Sequence, residues 1–242
     1  MQNQQPSTLK EIRVHGTQDF PCAFYQTGTR IKGNMVKHHW HEEVELLYFS
    51  GGEFCLEVNM ERFNISEECF YVINPGELHS ISVEKNGGCV ENAVVFHMDM
   101  LSSAYALDQI QTNLIQPVQN GSIQFPRCLR KNEPAFEPVR KSYEEIRNVF
   151  GGDSFRENYY DGEAVTDDIT RQLFIKSALL RILAVLSANN LFEVTEKNHD
   201  HRIETIKTTL TYIQENYKEK IYIRDLAGLI GMNEQYFCRF FK

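Results

Sequence analysis

The chain has 242 residues, 42% of them hydrophobic and 24% charged, which excludes a wholly disordered chain and a collagen-like one. Twenty-five Lys and Arg against 33 Asp and Glu give a net charge of −8, which argues against a protein that coats nucleic acid regardless of sequence. No apolar run approaches the roughly 20 residues of a membrane helix; the best, Ala178 to Leu186, is broken by Arg181.

The N-terminal stretch MQNQQPSTLKE is polar and does not read as a secretory signal. Cys22, Cys55, Cys69, Cys89, Cys128 and Cys238 form no CxxC pair, so they read as reduced thiols of a cytoplasmic protein. None has an activating neighbour in the sequence, and a redox role is without support. Residues 20 to 100 are rich in aromatic and β-branched runs (CAFYQT, VELLYF, EFCLEV, CFYVI, ENAVVFHM) separated by TGTR, SGG, NPGE and EKNGG turns. Strands recurring in this way predict an antiparallel sandwich or barrel. Phe136 to Phe150 reads as a helix, followed by a loop with Gly151, Gly152 and Gly162. Asp167 to Ala188 is the longest helical stretch, with an apolar stripe through Leu173, Ala178, Ile182, Val185 and Leu186. Residues 191–202 are polar and read as a linker.

From Ile203 the helical pattern is clean. Ile203, Ile206, Leu210, Ile213 and Tyr217 recur at steps of three and four, so one face carries all five. Ile223 to Leu229 forms a second helix, Gly231 a left-handed turn, and Asn233 caps a third helix. His201 to Lys242 carries seven Lys and Arg and five Asp and Glu, a balance of +2 against −10 for the remainder. That contrast suggests two jobs within one chain.

Two constellations carry chemistry. In the β-rich part, His39, His41 and Glu45 share a parity, so an unbroken strand would aim them at one face. His79 follows the Asn74-Pro75-Gly76 turn. Three imidazoles and a carboxylate can ligate a divalent transition metal such as Zn, Ni, Fe or Mn. The same four residues can instead grip a polar small molecule at a barrel mouth. By the same parity, Trp40 and Tyr48 face away from the cluster. The spacing Gly33-x5-His39-x-His41-x3-Glu45-x6-Gly52 resembles the first cupin motif. Pro75, Gly76 and His79 resemble the second, with Pro-x-Gly shortened to Pro75-Gly76 and no Asn four residues after His79.

The second constellation is Ile223 to Phe240, which fits a helix-turn-helix. Ala227 is small where helices approach, Gly231 supplies the turn, and Leu226, Ile230, Phe237 and Phe240 fill the interior. This leaves Glu234, Gln235, Cys238 and Arg239 on the outer face of the last helix, the face that enters a major groove. Gln235 suits adenine and Arg239 guanine, each such pair giving roughly 1–3 kcal/mol of base discrimination. Tyr236, Arg224 and Lys242 suit phosphates. Asn233 stands at the start of the same helix.

The phrase DLA-x3-GMN-x2-YFCRFFK resembles the first helix-turn-helix of AraC-type transcription regulators, and the order of cupin-like part, helical connector and this module is the order in that family. The resemblance implies an α+β chain. Residues 1–130 would form an effector-binding double-stranded β-helix, a cupin-like barrel. Residues 131–192 would form a helical connector and dimerisation segment, 193–202 a linker, and 203–242 an incomplete helix-turn-helix domain. It also implies a homodimer that takes a small effector, often a sugar, and binds operator DNA without catalysing a reaction. A second helix-turn-helix unit is expected in the family, so tight, sequence-selective DNA binding is not expected of residues up to Lys242 alone. The alternative reading is a metal-dependent cupin enzyme of dioxygenase or isomerase type built on His39, His41, Glu45 and His79.

Overall fold

The structure is a computed structural model and describes residues 9–29, 31–86, 89–105, 107–151, 162–195 and 201–241. The first eight residues of the polar N-terminal stretch, Gly87, Gly88, Gly152, most of the loop before Gly162, linker residues 196–200 and Lys242 lie outside the described residues.

Eight strands follow one another as the turn signals predict: β1 (Cys22–Thr29), β2 (Gly33–His39), β3 (Val44–Phe49), β4 (Phe54–Val58), β5 (Glu61–Ile65), β6 (Cys69–Ile73), β7 (His79–Val83) and β8 (Cys89–Phe96). A short helix α1 (Gln116–Gln119), β9 (Ile123–Gln124) and β10 (Cys128–Arg130) lead to α2 (Phe136–Val149). Then come β11 (Gly162–Ala164), α3 (Ile169–Ala188), β12 (Glu193–Val194), α4 (His201–Asn216), α5 (Ile223–Leu229) and α6 (Glu234–Phe240). One sheet has six strands in the order β10-β6-β3-β8-β1-β11, and the other four in the order β2-β7-β4-β5. The named sheet pairings are antiparallel, and the chain alternates between the two sheets in the manner of a cupin-like double-stranded β-helix. The fold is therefore α+β, as expected.

Side-chain alternation divides the barrel wall. Leu47, Phe49, Tyr71, Ile73, Ala93 and Val95 point inward and meet Phe54, Leu56, Ile81 and Val83 of the smaller sheet. Leu46, Tyr48, Phe70, Val72 and Val94 point outward and are covered by α2 and α3. Pro138 is accommodated because it lies in the first turn of α2. Asp168 caps α3, accepting from the Arg171 amide at 2.8 Å. Along α3 the buried positions are Ile175, Ala178, Leu179, Ile182, Leu183 and Leu186, whereas Leu173 of the predicted stripe is exposed. Among the described residues no helix is long and apolar enough to cross a membrane.

The C-terminal helices rest on the barrel. Ile203, Ile206 and Leu210 of α4 pack with Leu9, Trp40, Leu78 and Phe240. Ile213 turns instead to Leu226, Ala227, Phe237 and Ile230 of the helix-turn-helix. Tyr217, read as part of the same apolar face, is exposed, because α4 ends at Asn216.

Candidate functional site

His39 closes β2 directly opposite His79, the first residue of β7, and their rings lie 4.2 Å apart. The chain then crosses from the smaller sheet to the larger one. His41 sits in that crossing, where its carbonyl accepts the Gly76 amide at 2.7 Å. Glu45 follows on β3 with its side chain only 13% exposed. The unbroken strand expected from His39 to Glu45 is thus interrupted between Trp40 and Glu43. Chain crossing, rather than simple alternation, brings the four residues together.

The imidazoles are oriented by the main chain. Nδ1 of His39, His41 and His79 lies 2.8, 3.1 and 2.9 Å from the carbonyl oxygens of Lys37, Glu43 and Glu77. A carbonyl only accepts, so each Nδ1 carries the proton and each neutral ring offers Nε2 as a lone pair. Glu45 Oε2 stands 3.0 Å from His79 Nε2 and 3.5 Å from His41 Nε2. All three atoms are buried and lack a hydrogen-bond partner. Acceptors facing one another at these distances call for a cation, either a proton on the ring or a metal ion between them. Two donors about 2.1 Å from one ion are about 3.0 Å apart at right angles and about 3.4 Å apart at the tetrahedral angle. The observed gaps fit such edges, and nitrogen with carboxylate oxygen is a donor set for a divalent transition metal.

Electrostatics agree with this fit. Burial opposes ionisation of Glu45, but adjacent His41 and His79 hold its carboxyl well below the usual carboxylate range. Burial and the neighbouring His79 push His39 down to about 4, so that ring is neutral at pH 7, as a ligand must be. Burial likewise opposes charge on His41, yet Glu45 outweighs it and raises this ring above its ordinary value, so a metal at this position has to displace a proton. Glu77 braces the loop before His79, accepting from the Asn74 amide at 2.7 Å and from both terminal guanidinium nitrogens of Arg127.

Two more donors, Glu11 and His15, escaped the sequence reading. Leu9 to Glu11 runs beside Trp40, with the Trp40 amide bonded to the Leu9 carbonyl and the Glu11 amide to the Trp40 carbonyl, both at 2.9 Å. This carries the Glu11 carboxylate to 3.3 Å from His39 Nε2 and 3.5 Å from His15 Nε2. His15 is 4% exposed. Nothing in the spacing of Glu11 and His15 relative to the cupin-like motif signals this contact, which is made through space. The one local cue is Gly16, whose φ of +87° permits the turn immediately after His15.

Below the mouth the barrel is lined by hydrocarbon: Leu47, Phe49, Phe54, Leu56, Ile73 and Ile81. Glu91 is a buried exception, 2% exposed, and burial together with Glu45 raises its carboxyl well above the ordinary range. Trp40 and Tyr48 lie outside, as expected, against α4 and α2 respectively. Among the cysteines, none of which has an activating neighbour in sequence, Cys128 gains one through strand pairing. Cys128 opposes Tyr71, one diagonal from Cys69. A hydrogen bond from Cys69, another from Tyr71 and the charge of Arg130 bring the Cys128 thiol down to about 7.

In the helix-turn-helix, Asn233 caps α6 by accepting from the Tyr236 amide at 2.8 Å, and Gly231 adopts φ +67°, both as predicted. Glu234, Gln235, Cys238 and Arg239 are exposed on α6, while Phe237 is buried. Asn233 is exposed in its capping role. The Arg239 guanidinium lies 6.0 Å from the Tyr236 ring centre. Arg224 pairs with Asp225 at 3.6 Å and lies over Tyr222.

Residues 27–148 match the family model described as the AraC-like ligand binding domain. An uncharacterized HTH-type transcriptional regulator of Bacillus subtilis (strain 168), YdeC, is 25% identical over 242 residues, covering 97% of this chain and 75% of that protein. Among solved structures, unsaturated fatty acid-bound ToxT from Vibrio cholerae matches 93% of this chain and 73% of its own, with 10% identity and a TM-score of 0.39. A predicted oxalate decarboxylase from Thermotoga maritima matches 31% of this chain and 64% of its own, with 24% identity and a TM-score of 0.29.

Proposed function

The chain belongs to the family of AraC-like ligand-binding domains, and from that premise we propose a ligand-responsive transcription regulator whose effector is a divalent transition metal held at the barrel mouth. The carrying observation is the Glu45 carboxylate facing His41 and His79 Nε2 atoms whose rings are already protonated at Nδ1. His39, His41, Glu45 and His79 hold the ion in this reading. When bound, it supplies the positive charge that the converging acceptors need. The hydrocarbon interior below them weighs against a sugar, which needs hydrogen-bonding groups around its hydroxyls.

The ion and the DNA-binding part communicate across one wall. Trp40 lies between His39 and His41 in sequence, and its ring faces outward under Lys207 of α4 at 4.4 Å. Gln235 and Arg239 read base edges, with Cys238 and Glu234 beside them in the groove. Asn233 fixes the start of the reading helix, and Tyr236, Arg224 and Lys242 contact phosphates. Dimerisation runs through the exposed side of α3, where Ile169, Leu173, Leu180 and Ala184 form a second apolar line. Residues 1–130 act as the sensor, 131–192 as connector and dimer segment, and 203–242 as the DNA-binding part. The protein works in the cytoplasm, where its thiols stay reduced. A helix-turn-helix docked on the barrel has no use in a dioxygenase or isomerase, so the site is read as sensory rather than catalytic.

Elemental analysis of tag-free protein purified without chelator tests the reading. Near-stoichiometric transition metal is expected in the wild type and its loss in His41→Ala. Metal-free wild-type protein that also fails to take up added Zn(II), Ni(II) or Mn(II) would overturn it.

A further inference from the structure

Glu11 and His15 lie ahead of the first strand, outside any barrel motif, yet they reach the edge of the barrel cluster at His39 and His41. Ligand atoms of Glu11, His15 and His41 all lie within 4.8 Å of one another, as do those of His39, His41 and His79. His41 belongs to both groups. His15 is oriented as firmly as the barrel histidines. Its Nδ1 lies 2.8 Å from the Tyr25 hydroxyl, and that hydroxyl donates to Glu163 Oε1 at 2.8 Å. With its only proton given to Glu163, the hydroxyl accepts from Nδ1–H, which leaves His15 Nε2 as a lone pair. That atom is buried and has no hydrogen-bond partner. Arg13 secures the same segment by pairing with Glu163 and covering the Tyr25 ring at 4.9 Å.

The four gaps between carboxylate and imidazole are alike: 3.0 and 3.5 Å around Glu45, and 3.3 and 3.5 Å around Glu11. Each fits the edge between two donors to one ion about 2.1 Å away. A purely electrostatic contact would satisfy Glu11 with one partner. Instead its Oε2 stands between two Nε2 atoms, as Glu45 Oε2 does.

We propose that Glu11 and His15 are ligands to the ion held by His39, His41, Glu45 and His79, so that metal binding fastens residues 9–20 to the barrel mouth. The inference rests on the metal reading given above. It goes further by enlarging the site to as many as four imidazoles and two carboxylates. Such a set favours an ion content with six donors, such as Ni(II), Fe(II), Mn(II) or Co(II), over one restricted to four. It also makes the state of the N-terminal segment a direct report of occupancy.

Co(II) is the probe, because its visible bands are weak with six donors and strong with four. Wild-type protein titrated with Co(II) should bind one ion per chain and show weak bands. Amide exchange across residues 9–20 should slow on binding. In the Glu11→Gln/His15→Gln double variant, affinity should fall by at least the roughly 10- to 100-fold that loss of an outer-sphere partner causes. Its bands should intensify, and the exchange of residues 9–20 should no longer respond to Co(II). Lys10→Gln, which alters the same segment but keeps both donors, should retain wild-type bands and controls for general loosening. If the double variant binds Co(II) with unchanged affinity and bands, Glu11 and His15 are not ligands while the barrel site stands. If wild-type protein binds no Co(II), both this inference and the metal reading fall.

Discussion

Every histidine at the barrel mouth has its tautomer set before any ligand arrives, by a carbonyl for three of them and by the Tyr25–Glu163 pair for His15. Pre-setting of this kind removes an ordering cost from binding and fixes which nitrogen is offered. Glu91 is the contrasting case, an acid buried on the inner face of β8 without a charge partner among the described residues. It is protonated in the fold and ionised in the unfolded chain above the ordinary carboxyl value of about 4.3. The folded state therefore holds the extra proton, so stability falls as pH rises from about 4.3 toward the raised folded value. Glu91→Gln should raise Tm at pH 7.5, by about 2–4 °C for each kcal/mol recovered, and the gain should shrink by pH 5. A calorimetric series over that pH range that shows no shrinking gain would contradict this assignment. His39, His41, Glu45 and His79 were legible because the residues lie at motif spacing. Glu11 and His15 were not, since their approach depends on a backbone pairing with Trp40 that no local pattern encodes.

Element by element, the junction between β2 and β3 does most to shape the site. Sequence alternation put His39, His41 and Glu45 on one face, and they do converge, but through a break in which His41 belongs to neither strand. The same break turns Trp40 outward, where it packs half-buried against Leu9, Leu78 and Ile206 and Lys207 covers its ring. Trp40→Ala should release α4 from the barrel. The expected loss is about 1.5–3 kcal/mol of local stability, the range for burying a large apolar side chain. Hydrogen exchange should then quicken in α4 and remain slow in β3, β6 and β8. Equal quickening in those strands would show that Trp40 supports the whole barrel rather than the joint. The longer helices and the helix-turn-helix were readable from their apolar period, with Asn233 announcing the start of α6 and Gly231 the turn before it, whereas the short α1 and the Asp168 cap of α3 were not read.

At the scale of the whole molecule, the sensor, the connecting helices and the DNA-binding part are packed into one body through α2, α3 and α4. Strand spacing and turn residues made the antiparallel β part legible as a sandwich or barrel, and the family resemblance implied the α+β class and chose the barrel. The outward apolar line on α3 was not separable from the buried one, since both obey the helical period and only the fold shows which is covered. Leu173→Glu with Leu180→Glu should convert a dimer to a monomer by analytical ultracentrifugation without loss of Tm, because both side chains are exposed in the single chain. A dimer unaffected by the pair would place the interface elsewhere. Gly16 has a consequence for how this protein can vary. A Cβ there would lie 2.5 Å from the Phe20 carbonyl oxygen and the Cys22 amide nitrogen, both backbone atoms that cannot move aside. In a saturation library, position 16 should therefore be as closed to substitution as a ligand, although it has no side chain and touches no ion.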